Sequence, residues 1–399
     1  MIRSLYIDNF KSLVDFRLPP APHELGAFSC LVGMNGAGKS TVLQAFDFLG
    51  HIAAGNVDEW LRQRDWEKSD LTSRFLKKQL ISFELVIDIE SVGRIEWSGS
   101  YNASLLRCTA EAIRVAGTEV LKIGEQYLGV TGADGRSQLQ FPLHGLDYHG
   151  SSLSILRAEK LHPALHALKE QAGKLRSLDM LAPQSMRKRA KDGADIGYGG
   201  ERLSAYLHGL DKSAQGRLAE MLKHFYPRFQ DFTTKALRAG WKDLRINEQY
   251  LDVNGKPLET GARQINDGLL RILAVLSQVE PGPGGAGVPR SCVLFDEIEN
   301  GINPELMQRL VEVLLNAERQ VIVTTHSPLI LNFLDDRTAQ QAVLLLFRNQ
   351  VGYTRAVRLF DLPSAQRRLR TLGPGEVFVD ISLADLPTEA QSVAAAHGK

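Results

Sequence analysis

The chain has 399 residues, 44% of them hydrophobic and 23% charged, the balance of a globular protein with one large domain or two ordinary ones. A formal net charge of +1 excludes a uniformly basic nucleic-acid coat, so any such surface has to be a local patch. No apolar run approaches the roughly 18 residues of a membrane span, and the opening residues lack the apolar stretch of a secretory signal.

Met1 to Asp8 reads as a strand, followed by Asn9-Phe10-Lys11-Ser12 and a second apolar stretch from Leu13 to Leu18. After a proline-rich turn, Phe28 to Val32 is a short buried strand running into a glycine-rich loop. Thr41 to Leu49 then carries Val42, Leu43, Ala45, Phe46 and Leu49 at helical spacing. Ile81, Phe83, Leu85, Ile87 and Ile89 alternate strictly, which predicts a half-buried strand. Strand-like pieces continue to about Phe141, with a turn at Gly132-Ala133-Asp134-Gly135. Residues 153–178 and 201–225 read as helices. Between them lie Arg187-Lys188-Arg189-Ala190-Lys191 and a glycine-bearing stretch, a mobile basic loop in an inserted lobe.

Strand signals resume from Trp241 to Val253, and an apolar helix from Gly268 to about Val279 is closed by Pro281-Gly282-Pro283-Gly284-Gly285. Ser291 to Phe295 is a buried strand, Pro304 to Ala317 a helix with proline in its first turn, and Val321 to Thr325 another buried strand. Strands alternating with helices imply a parallel sheet, hence an α/β fold. The division expected is 1–150, a helical insertion 151–228, a second half 229–360 and a tail 361–399. Cys30 and Cys292 sit in apolar strands, so buried thiols in a reducing cytoplasm are expected, not a disulfide framework.

Gly33-Met34-Asn35-Gly36-Ala37-Gly38-Lys39-Ser40 fits G-x-x-x-x-G-K-[ST] at every fixed position. An ordinary glycine-rich turn is the alternative, but a buried strand before and an apolar helix after favour a phosphate loop. In that reading the backbone N–H groups of Gly33, Asn35, Gly36, Ala37 and Gly38, through to Thr41, cradle a triphosphate. Lys39 reaches the β- and γ-phosphates, and the Ser40 hydroxyl ligates Mg²⁺.

Cys292 to Phe295 ends in Asp296-Glu297. A lone Asp-Glu after a strand is usually a turn or a helix cap. Beside a phosphate loop, Asp296 becomes a Mg²⁺ ligand through the metal's water shell and Glu297 the residue that orients or deprotonates the attacking water. The acidic strand is expected next to the strand feeding the loop, and Glu299 to shape the loop that follows. His326, at the end of the next buried strand, would sense the γ-phosphate as a neutral imidazole. Gln264-Ile265-Asn266-Asp267-Gly268 precedes a helix and offers further N–H groups to an anion, although Asn-Asp-Gly is also a common turn.

In this order the four elements resemble an ABC-type ATPase head: phosphate loop, signature motif, acidic strand and switch histidine. Ile7-Asp8-Asn9-Phe10-Lys11-Ser12, Asp296-Glu297-Ile298-Glu299-Asn300-Gly301 and Thr325-His326-Ser327-Pro328 resemble the branch holding the RecF, SMC and OLD ATPases and stand-alone relatives in anti-phage defence operons. The resemblance covers about 1–150 and 225–350. It implies ATP and Mg²⁺ as cofactors and a head-to-head dimer. In that dimer Asn266 and Gly268, with Asp267 between them, cap the other head's γ-phosphate. Asn266 stands where the family usually has serine, and Asn303 where this branch often has histidine. Gln79 is the candidate for a glutamine loop. Slow or conditional turnover is expected from these departures.

No Asn-Lys-x-Asp selects guanine, and the insert is too short for a long SMC coiled coil. The tail after Asp361 is too short for the nuclease domain of OLD proteins. The reading reached is an ATPase subunit that senses nucleic acid and controls a separately encoded effector, a nuclease, in anti-phage defence. A RecF-like repair factor and a nucleotide-gated scaffold with little hydrolysis are the alternatives. Double-stranded DNA is a candidate partner through Arg187, Lys188, Arg189 and Lys191.

Overall fold

The computed structural model describes residues 1–157, 160–178, 183–280, 292–381, 386 and 388–391. The chain forms two compact units, one of Met1–Arg176 with Asp335–Lys399 and one of Ser177–Leu334.

In the first unit, β1 (Ile2–Asp8), β2 (Phe16–Leu18) and β3 (Phe28–Val32) lead through the glycine loop into α1 (Lys39–Ala54) and α2 (Val57–Gln63). Six strands follow: β4 (Leu80–Ile89), β5 (Gly93–Asn102), β6 (Arg107–Val115), β7 (Thr118–Ile123), β8 (Tyr127–Thr131) and β9 (Gln138–Pro142). They join β1 and β2 in an antiparallel sheet of order β2-β1-β4-β5-β6-β7-β8-β9. The alternation in β4 buries Ile81, Phe83, Leu85, Ile87 and Ile89 on one face, as the period-2 pattern requires. The turn at 132–135 joins β8 to β9. Asp134 there accepts from the N–H of Arg136 and Ser137 and from the Ser137 hydroxyl, which pull its carboxyl down to about 2.

Helix α3 (Pro163–Ala172) closes this segment. It is shorter than the helix expected over 153–178: Pro163 sits in its first turn and Gly173 at its C-cap, and Ser177–Leu178 is already a strand.

The second unit comprises β10 (Ser177–Leu178), α4 (Pro183–Met186), α5 (Leu203–Gly209), α6 (Lys212–Phe225), β11 (Phe229–Ala236), β12 (Lys242–Leu251), β13 (Pro257–Gly261), α7 (Asp267–Val279), β14 (Cys292–Phe295), α8 (Met307–Leu315), β15 (Gln320–Thr324) and α9 (Pro328–Asn332). The single helix expected over 201–225 is two. Asp211 starts the second by accepting from the Ala214 N–H at 2.7 Å. β11, β12 and β13 form a small antiparallel sheet. β10, β14 and β15 are parallel, and β14 and β15 are buried at every residue, as strands covered on both faces are. The neighbours of β14 are β10 and β15, so the acidic strand does not lie beside the strand that feeds the glycine loop. The expected closing linker 281–285 lies outside the described residues.

The chain then returns to the first unit with α10 (Asp336–Ala342), β16 (Val343–Arg348), β17 (Thr354–Arg358), α11 (Pro363–Leu369) and α12 (Pro374–Asp380). β16 runs parallel to β3 and antiparallel to β17. Cys30, Cys108 and Cys292 are buried thiols outside any disulfide, and burial pushes Cys292 up to about 12. Among the described residues no helix is long and apolar enough to cross a membrane.

Candidate functional site

The glycine loop is held in shape by β16 and β17. Gly33 has φ 149°, and a Cβ there would stand 2.3 Å from the Leu346 carbonyl oxygen. Gly38 has φ 105°, and its Cβ would meet the Thr354 hydroxyl at 2.4 Å. At both places the requirement for glycine is steric as well as conformational. Thr354 is fully buried and donates its hydroxyl to the Ala37 carbonyl at 3.0 Å. The same oxygen lies 2.9 Å from the Ser12 hydroxyl, and the Thr354 N–H donates to the Ser12 carbonyl at 3.0 Å. Ser12, singled out in the opening motif, thus braces the loop through Thr354. Arg348 Nε donates to the Gly36 carbonyl at 2.9 Å.

Lys39 is 6% exposed and folds over the loop, Nζ donating to the carbonyls of Gly33 at 2.9 Å and Met34 at 3.2 Å. Ser40 and Thr41 follow in the first turn of α1, while Asn35 and Gly36 are exposed at the loop's crest. A strand, a wrapped glycine loop, a central ammonium and a helix of 16 residues fit a nucleoside triphosphate. Beside Thr41 opens a cavity of about 500 Å³ bounded by Lys11, Trp66, Arg74, Phe75 and Arg348. Lys11 Nζ stands 3.1 Å from the Trp66 ring centroid and 3.0 Å from the Gln44 amide oxygen. Trp66, Arg74, Phe75 and Arg348 were missed from sequence. The interleaving of aromatic and basic residues over 66–75 was the signal available for the first three.

The second unit assembles the acids. Thr324, the last residue of β15, is fully buried. Its hydroxyl donates to Asp296 Oδ1 and accepts from the Glu297 N–H at 2.8 Å. The Ile298 N–H donates to the Thr324 carbonyl at 3.2 Å, which fixes the turn that follows. Glu297 has φ 47°, a left-handed conformation costly for a residue with a Cβ, and the Thr324 bonds hold it there. A cavity of about 20 Å³, the size for one water, lies against Arg271, Phe295, Asp296, Glu297, Asn300 and Ile302. Asn300 Nδ2 is 3.4 Å from Glu297 Oε2.

Glu299, expected to shape the loop, holds the histidine: Oε1 accepts from the His326 N–H at 2.9 Å and lies 3.1 Å from Nδ1. The second nitrogen of His326 is left to face outward, its side chain 54% exposed. Thr324 was also missed, because a threonine closing a valine-rich strand looks like ordinary β-propensity.

Asn266 caps α7, its Oδ1 accepting from the Leu269 N–H at 3.2 Å, with Asp267 and Gly268 opening the helix. The basic run is not a free loop. Arg187 pairs with Asp267, Arg189 Nε donates to Asp243 at 2.8 Å, and Lys191 lies over the Trp241 ring at 4.9 Å. Only Lys188 of the four is exposed without a described partner. Asn303 caps the turn before α8, accepting from the Glu305 N–H at 3.2 Å, and Gln79 accepts from the Ser104 hydroxyl at 3.2 Å.

The glycine loop therefore belongs to the first unit, and Asp296, Glu297, His326 and the Asn266–Gly268 loop to the second. Residues 1–91 match a family model described as "AAA ATPase domain", and residues 172–332 one described as "AAA domain, putative AbiEii toxin, Type IV TA system". No curated protein matches the chain. Among solved structures, an SMC head bound to the C-terminal winged-helix domain of ScpA superposes with a TM-score of 0.55 at 14% identity, covering 89% of this chain and 96% of its own. The SMC head with an extended coiled coil from Pyrococcus furiosus, bound to the C-terminal domain of ScpA, gives 0.54 at 12% identity, covering 93% and 99%. At such identities the likeness is one of fold. Its fold is that of the ABC-type SMC heads, and the two family models it matches are of ATPase domains.

Proposed function

We propose that the chain binds MgATP in its phosphate loop and hydrolyses it with Glu297, in a dimer whose two heads close on two nucleotides. The observation that carries the reading is the Thr324 bridge, which fixes Asp296 and Glu297 side by side. Ser40 and Asp296 would hold Mg²⁺, which supplies charge neutralisation at the β- and γ-phosphates. His326, oriented by Glu299, would read the γ-phosphate. The cavity beside Thr41, bounded by Lys11, Trp66 and Phe75, would receive the base and sugar. Gly268 and Asn266 would cap the opposite head's nucleotide.

The output of the cycle is control of a separately encoded effector, a nuclease, in anti-phage defence. That role rests on the resemblance. The nucleic-acid reading loses its basic-loop argument, because Arg187, Arg189 and Lys191 are already engaged. A nucleotide-gated scaffold is the second reading, favoured by Asn266, an amide where the family usually has serine.

ATP hydrolysis by the purified protein, with and without double-stranded DNA and beside Glu297→Gln, separates these readings. Turnover abolished by the substitution supports the enzyme, and stimulation by DNA supports nucleic-acid sensing. Tight ATP binding without turnover in the unmutated protein leaves the scaffold. Co-purification with the neighbouring gene product tests the effector, and no association counts against it.

A further inference from the structure

Asp267 has the wrong charge for the role its loop is given. Its side chain is 54% exposed between Asn266 and Gly268. A loop that caps a γ-phosphate would carry this carboxylate up to an anion, and like charges at such range repel.

Arg187 answers that charge. It follows α4, and its Nη2 donates to the Asp267 carboxylate and, at 2.8 Å, to the Ile265 carbonyl. The side chain is only 23% exposed, and Nε is buried with no hydrogen-bond partner among the described residues. A guanidinium carries five N–H donors in a rigid fork. The bonds described use Nη2 alone, which leaves Nη1 for a further acceptor. The arrangement is polarised: one end of the fork fixes the loop's backbone and cancels its carboxylate, and the other suits a phosphate oxygen.

We propose that Arg187 is an anion-capping residue of this loop, neutralising Asp267 and presenting Nη1 to the terminal phosphate of a nucleoside triphosphate held by a second copy of the chain. The proposal rests on the head-to-head reading given above. A lysine has a single point charge and cannot serve the Ile265 carbonyl, the carboxylate and a phosphate from one planar group.

The rival role for the pair is to shape the loop and nothing more, and the two roles differ in sign. If shape is all, Arg187→Ala and Asp267→Asn break the same contact and weaken nucleotide-driven pairing alike. If Arg187 caps an anion, its loss leaves a bare carboxylate facing phosphate, whereas Asp267→Asn removes the repulsion and leaves the arginine in place.

The test uses the full-length chain carrying Glu297→Gln, with MgATP as the probe and sedimentation as the readout of dimer. Arg187→Ala is expected to raise the ATP concentration for half-maximal dimerisation about tenfold or more. Binding of ATP to the monomer stays unchanged, because the phosphate loop is untouched. Asp267→Asn is expected to lower that concentration, and in combination with Arg187→Ala to recover part of the loss. Melting curves of each variant, matched to the parent, identify those that fold. A folded Asp267→Asn that weakens the dimer as much as Arg187→Ala overturns the proposal, as does an Arg187→Ala dimer equal to the parent. A Glu297→Gln parent that binds ATP and stays monomeric overturns the head-to-head reading itself, before either substitution is made.

Discussion

Thr324→Val probes the centre of the candidate site with the least change of shape. Valine keeps the volume and the β-branch that suit the end of β15, and removes only the hydroxyl. The Glu297 N–H then loses its acceptor at 2.8 Å, and Asp296 loses a donor to its carboxylate. A hydrogen bond to a charged group contributes about 1.5–3 kcal/mol, and an orphaned buried N–H costs about 1–3 kcal/mol. The two share one oxygen and are not additive, so a loss of about 2–4 kcal/mol is expected. In a unit the size of Ser177–Leu334 each kcal/mol moves Tm by roughly 2–4 °C, so a fall on the order of 5–10 °C should appear in differential scanning calorimetry. The effect on turnover is larger in proportion. Glu297 is held at φ 47° by the same bond, and release by about 1 Å costs on the order of 100-fold in rate. Thr324→Ser, which keeps the oxygen, should retain most of the activity. A valine variant as stable and as fast as the serine variant would refute the bridge as the organising contact.

The backbone of Glu297 gives a second expectation: Glu297→Gly abolishes hydrolysis yet raises Tm, because glycine takes up a left-handed φ without the roughly 1–2 kcal/mol penalty; a lower Tm would mean the conformation is not strained. Gly38→Ala, forced against the Thr354 hydroxyl 2.4 Å away at φ 105°, should lose nucleotide binding in a titration with a fluorescent ATP analogue, and unchanged affinity would dissociate the loop's shape from its function. Asp47, on the phosphate-loop helix, is raised by burial, but bonding and charge from His51, with Arg64 and Trp60, outweigh this and hold it below the usual carboxylate range. A depressed carboxylate contributes stability that is complete above its unfolded value, about 3.9, and is lost as pH falls through the folded value. Asp47→Asn should therefore flatten the acid limb of Tm against pH below about pH 4, and an acid limb unaltered by the substitution would assign it to other carboxylates.

The glycine loop was legible because its constraint is local: eight consecutive residues must wrap a phosphate, and no distant contact is needed to recognise them. The acidic strand and His326 were legible for a related reason, each closing a short run of fully buried residues. What joins them was not. Thr324 meets Glu297 across 27 residues of chain, and Arg187 meets Asp267 across 80; periodicity and local propensity carry no term for either pairing. The basic run misled because four cations in five residues read as solvated, while three of them are absorbed by Asp267, Asp243 and Trp241. The helices of 153–178 and 201–225 were drawn too long because Pro163 and Asp211 were read as interior residues, when each starts a helix.

Two threonines do equivalent work in the two units. Thr354 closes the phosphate loop from behind through Ala37 and Ser12, and Thr324 closes the acid pair through Asp296 and Glu297. Both threonines are fully buried; the Thr354 bonds are buried with it and do not compete with water, whereas the Thr324 bonds are partly buried. On the proposed reading, the groups that would touch phosphate and those that would act on water are preorganised within their own units, and such fixed dipoles give most of their rate benefit without reorganisation. Slow turnover, if measured, would then not reflect the want of an ordered site. The departure lies in the Asn266 loop, where an amide stands in place of the family's usual serine and is followed by an exposed carboxylate. On the head-to-head proposal, control of turnover would belong to the approach of that loop to nucleotide, and Arg187 would be the residue that makes the approach electrostatically tolerable.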